Sequence, residues 1–133
     1  MPRRARAVLL GALAGAATIA EADTVACHLT YGGQTQIVEA RPSASPYNEA
    51  PVAMGSYFLF RIVYRQEPAD LAGIKLYAYA DRDSGPVIIH QASHPSTAAN
   101  RAKHGFTGLQ YVYEPVRDGE LQYWCELRVG AAT

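Results

Sequence analysis

The amino-acid sequence predicts an all-β fold, an antiparallel β-sandwich of about seven strands, immunoglobulin-like in general shape, with a small closed β-barrel as the alternative. Three observations predict it. Apolar and polar residues alternate with period two through most of the chain after residue 26. Turn signals containing Gly, Pro and Asp separate these runs, mostly at roughly 8–12-residue spacing. No long amphipathic helical pattern occurs outside the N-terminal segment.

That segment reads as a signal helix over residues 1–22. Arg3, Arg4 and Arg6 form a positive start, residues 7–20 form an apolar run, and Ala20-Glu21-Ala22 fits a small-x-small cleavage site that leaves Asp23 first. A transmembrane anchor needs about 20 apolar residues, and Glu21 and Asp23 interrupt this run early. Thr24-Val25-Ala26-Cys27 departs from a lipoprotein processing site, which wants Leu or a similar residue at Thr24, and the residues after Arg3-Arg4 are not those of a twin-arginine signal. The expectation is therefore a single β domain over residues 23–133, periplasmic or secreted, with no membrane span after cleavage.

Within that domain, residues 26–31 and 34–41 read as two strands of a hairpin, with Gly32-Gly33 as the turn. Pro42 ends the second, because proline has no N–H to give to a ladder. Residues 42–53 read as a loop by composition. Residues 57–65 are the clearest strand: Phe58, Phe60, Ile62 and Tyr64 share one face, expected to be core. Residues 73–80 follow, with Ile74, Leu76, Ala78 and Ala80 inward and Lys75, Tyr77 and Tyr79 outward.

Residues 81–85, Asp-Arg-Asp-Ser-Gly, form a turn by Asp and Gly turn chemistry; their likeness to a calcium loop stops at Ala92, where a bidentate Glu belongs. Residues 86–90 form the next strand, and Val87-Ile88-Ile89, apolar on both faces, predicts a central position. Residues 91–105 read as irregular. Residues 107–114 and 121–129 are the last two strands. In the latter, Leu121, Tyr123, Cys125 and Leu127 share one face and Trp124 lies on the other. The glycines of the stretch 105–115 suit a bulge or a close backbone approach.

Cys27 and Cys125 are the two cysteines, and in an exported chain they pair most simply with each other. They stand near opposite ends of the domain, so the first and last strands are expected to be neighbours. Closing a loop of about 100 residues is worth about 4.7 kcal/mol in a chain-entropy account.

The function classes narrow next. The chain carries 12 basic and 12 acidic side chains; losing residues 1–22 leaves a slight acidic excess with the signs interspersed. No basic stripe exists for nucleic acid. No nucleophile elbow, Walker loop or dinucleotide loop occurs, and Glu114 and Glu120 read as solvated, so the expectation is a non-catalytic protein. Two candidate sites remain. His90, His94 and His104 cluster in one stretch, and imidazole nitrogen suits Zn²⁺ or Cu²⁺. The nine tyrosines and one tryptophan offer rings for recognition: Tyr77, Tyr79 and Trp124 all point away from the predicted core. If they share a surface, it is an apolar platform with polar tips, suited to a protein or small-ligand partner. A binding module of the periplasm is thus the leading functional expectation, and a metal-binding protein using the loop histidines is the alternative.

Overall fold

The structure is a computed structural model that describes residue 11, residues 23–101 and residues 103–130. The predicted signal segment and its cleavage site fall outside the described residues, Gly11 apart. The described residues form an all-β sandwich of two antiparallel four-stranded sheets. The strands are β1 (Thr24–Tyr31), β2 (Gln34–Ala40), β3 (Val52–Met54), β4 (Phe58–Arg65), β5 (Gly73–Arg82), β6 (Gly85–His94), β7 (Gln110–Glu114) and β8 (Gly119–Arg128). Sheet A has the order β2-β1-β8-β7, and sheet B has the order β3-β4-β5-β6.

The period-two pattern explains the core. Val25, Cys27 and Leu29 of β1 alternate inward, as do Leu121, Tyr123, Cys125 and Leu127 of β8. Phe58, Phe60, Ile62 and Tyr64 of β4 and Ile74, Leu76 and Ala78 of β5 meet them from sheet B, and together they make one continuous buried cluster. Burying each large apolar side chain is worth roughly 1.5–3 kcal/mol, so these four strands dominate the stability of the fold. The β1–β2 hairpin turns at Gly32 (φ 59°) and Gly33 (φ 79°), the doubly positive geometry that a two-residue hairpin turn requires and glycine adopts without a Cβ clash.

Cys27 and Cys125 stand directly opposite each other on β1 and β8 and are joined by a disulfide, with Cα atoms 4.0 Å apart. The bridge links neighbouring strands of one sheet, fully buried on its core side, and fastens the start of the domain to its end.

Four sequence expectations are corrected. β3 begins inside the expected loop 42–53 and runs one residue past it; three residues are too few to carry a period-two signal. β6 is an edge strand of sheet B rather than a central one, and Val87 and Ile88 are exposed. The same strand runs on to His94 through part of the expected irregular segment, because His90, Ala92 and His94 pair with the buried row Ala78, Leu76 and Ile74 of β5. Glu114 is buried at 1% exposure rather than solvated. Its carboxylate accepts from the backbone N–H groups of Val116 and Arg117 at 3.1 and 2.8 Å and from Arg82 Nη2 at 3.3 Å. Desolvation by burial pushes this carboxyl up, but the Arg117 and Val116 amides and the Arg82 guanidinium outweigh it, so the group stays below its ordinary pKa.

Candidate functional site

The outer face of sheet A carries an aromatic group built by strand register. His28 on β1 and Trp124 on β8 are directly opposite, and both point away from the core because Cys27 and Cys125, their neighbours, point into it. Their rings stack with centroids 3.9 Å apart and planes 5° from parallel. Ile37 of β2 stands across from His28 and is half exposed. One row along, Thr30, Gln122 and Tyr111 follow one another across β1, β8 and β7. Tyr111 is 57% exposed.

A third ring comes from the loop after β6. His104 meets Trp124 edge-on, with centroids 5.8 Å apart. The loop is held there by β8, whose backbone continues past the end of β7. Phe106 N donates to Cys125 O at 2.9 Å, and Cys125 N donates to Thr107 Oγ1 at 2.9 Å. The side-chain amide of Asn100 brackets Leu127, donating to its carbonyl at 2.7 Å and accepting from its N–H at 2.9 Å. These bonds satisfy an edge that β7 leaves unpaired. Gly105 makes the approach possible: with φ +58°, a Cβ there would lie 1.9 Å from Cys125 O. The close approach expected of the 105–115 glycines is realised at this residue.

A charged rim borders the rings. His28 Nε2 lies 3.4 Å from Glu126 Oε2, close enough for an ion pair but not aligned as a hydrogen bond. Arg128 Nε donates to Glu126 at 2.7 Å, and Arg128 Nη1 donates to Glu39 at 2.8 Å. The Arg128 hydrogen bond, helped by the Arg128 and His28 charges, holds the Glu126 carboxyl below its usual pKa against a smaller opposing effect of burial.

Trp124 is therefore where the alternation puts it, but Tyr77 and Tyr79 are not beside it. They lie on the outer face of sheet B, on the far side of the sandwich, and each is only 9% exposed. They pack with Val63 and Leu59 in a small cluster of their own. The Arg61 guanidinium sits 5.8 Å from the Tyr79 ring centroid, and the Tyr77 phenol meets that of Tyr47. Burial, with the Tyr47 hydrogen bond adding to it, pushes Tyr77 up to about 12. The three rings expected on one platform occupy opposite faces, because alternation decides which side of a sheet a ring takes and topology decides which sheet.

The histidines do not converge either. His90 points into the sandwich, where Nε2 and the Tyr123 hydroxyl are 2.6 Å apart. His94, four residues along the same strand, packs edge-on to Phe106 at 5.1 Å. Burial lowers the pKa of both. His104 is on the outer side of sheet A. Among the described residues no three His, Cys, Asp or Glu side chains are grouped to hold a metal ion. The expected Zn²⁺ or Cu²⁺ site at His90, His94 and His104 is not formed, because an i, i+4 spacing that gathers side chains on a helix spreads them along a strand.

No protein-family model, curated protein or solved structure matches the chain. The residues themselves must carry the functional reading. Sequence reasoning missed His28 as a partner of Trp124. The signal was present: His28 follows Cys27 as Trp124 precedes Cys125, so pairing the cysteines in antiparallel register pairs the rings.

Proposed function

We propose that this protein is an exported, non-catalytic binding module, periplasmic or secreted, that recognises a protein partner through the outer face of sheet A. The observation that carries the reading is the His28–Trp124–His104 ring group at the centre of that face, bordered by the exposed side chains of Ile37 and Tyr111. Clustered Trp and Tyr with an apolar neighbour and a charged rim are the composition of a binding hot spot, where rings supply contact area and their polar tips supply direction. Stacking fixes the rings in advance, so little side-chain freedom remains to be lost on binding. The disulfide supports the exported setting. Among the described residues no helix is long and apolar enough to cross a membrane.

The test is capture from the exported fraction of the source cells, comparing the wild-type protein with Trp124→Ala and with Tyr111→Ser. The reading expects a partner held by the wild type and lost from both variants while their folds remain intact. Trp124 is the sole tryptophan, so its emission reports docking directly. A partner retained equally by both variants, with tryptophan emission unchanged, contradicts the reading.

A further inference from the structure

A second site lies on the opposite sheet. A pocket of about 200 Å³ opens on the outer side of sheet B, between the ends of β4, β5 and β6, the connection before β5, and the 3-10 turn Pro46–Asn48. Arg65, Lys75, Tyr47, Ser93 and His94 are its polar lining residues, and Val63 and Leu71 are among its apolar ones. No carboxylate lines it; Glu67 and Asp70 of the neighbouring connection lie outside the lining. Among the described residues neither cation is in an ion pair, and Arg65 spends one N–H on the Ala44 carbonyl at 3.2 Å. The Tyr77 hydroxyl and, after it, Lys75 favour the ionised form of the Tyr47 phenol. Two cations therefore share one concavity that no carboxylate lines.

We propose that this pocket binds a small organic carboxylate carrying an apolar body. Two cations without a carboxylate partner, one forked and one a point charge, suit a carboxylate. Leu71 and Val63 supply apolar lining for the body attached to it. Inorganic phosphate fits less well, since it turns polar oxygens outward on every side and would leave some against the apolar lining. The volume is below the roughly 300 Å³ at which pockets for drug-sized ligands begin, so the occupant is of single-ring size. The site is independent of the sheet A surface, because both sheets and the core stand between them.

Amide chemical shifts of the purified protein, titrated with phenylacetate, 2-phenylethanol and inorganic phosphate, test the proposal. Phenylacetate is expected to shift Tyr47, Leu71 and Lys75 saturably. 2-Phenylethanol, the neutral analogue, and phosphate are expected to bind at least tenfold more weakly. Lys75→Gln, which changes an exposed side chain, is expected to weaken phenylacetate binding at least tenfold, Lys75→Arg to retain it, and Trp124→Ala to leave it unchanged. Equal binding of the alcohol, tighter binding of phosphate, undiminished binding to Lys75→Gln, or no saturable shift at this pocket each overturns it.

Discussion

The two outer faces of the sandwich begin from the same kind of strand and end differently. β8 and β5 are both central, ten residues long, and both alternate core residues with outward aromatics. On β8, Trp124 is partly buried between His28 and His104, because Gly105, Thr107 and Asn100 draw the loop carrying His104 to the sheet edge, while Ile37 and Tyr111 nearby stay exposed. On β5, Tyr77 and Tyr79 are nearly buried, because Arg61 lies over one ring and Tyr47 reaches the other. Outward on a strand is therefore not the same as exposed. The path of the connections, more than the strand pattern, decides which face is free to bind.

The comparison can be broken at several points. The largest effect is expected from removing the covalent tie within sheet A. Replacing Cys27 and Cys125 together by Ala is expected to cost about 2–5 kcal/mol of unfolding free energy in urea titration. A loss below about 1 kcal/mol would show that the β1–β8 ladder needs no staple.

Next comes the contrast of the rings themselves. Tyr77→Ala is expected to destabilise by about 3 kcal/mol, as for a packed aromatic. Trp124→Ala, which removes a partly buried ring stacked on His28, is expected to cost about 1–2 kcal/mol, less than Tyr77→Ala, while abolishing capture of a partner. Equal costs would mean that the two faces are alike and that Trp124 is a structural ring. Asn100→Ala removes both hydrogen bonds to Leu127 and is expected to cost about 1–2 kcal/mol. It should also alter tryptophan emission by loosening the loop that presents His104. A cost without an emission change would separate the loop from the ring group.

Acid should weaken the fold in two stages. Burial depresses His90 and His94 below the ordinary value of about 6.5. The unfolded chain then takes up protons that the folded one refuses, so stability is full above about pH 6.5 and declines below it. His90→Gln, which keeps a hydrogen-bonding group near Tyr123, is expected to flatten part of that decline in denaturation curves between about pH 5 and 6.5. An unchanged slope would remove His90 from the account. Glu114 is likewise depressed, and its contribution is present above the unfolded carboxyl value of about 4.3 and lost as pH falls through its lower folded value.

Much of the fold was legible in the sequence. The strict alternation of β4, β5 and β8 marks their core faces correctly, Gly32-Gly33 marks its hairpin, and two cysteines near the ends of the domain made its first and last strands neighbours. What escaped was non-local. β6 has the apolar content of a central strand, yet strand order makes it an edge. Glu114 looks solvated in a turn sequence, yet three donors satisfy it in the interior. Tyr47 sits in a Pro-rich loop with nothing local to show that it meets Tyr77. The candidate site was half legible: Trp124 and His104 were singled out for separate reasons, and only the register of β1 against β8 brings His28 to them.

Residue-resolved tyrosine nitration, mapped by mass spectrometry with and without the captured partner, distinguishes docking on sheet A from docking on sheet B. Tyr111 and Tyr47, both at least half exposed, are expected to react in the free protein, with Tyr77 and Tyr79 spared. In the complex Tyr111 is expected to be protected while Tyr47 still reacts. Protection of Tyr47 with Tyr111 left reactive would place the partner on sheet B and contradict the account.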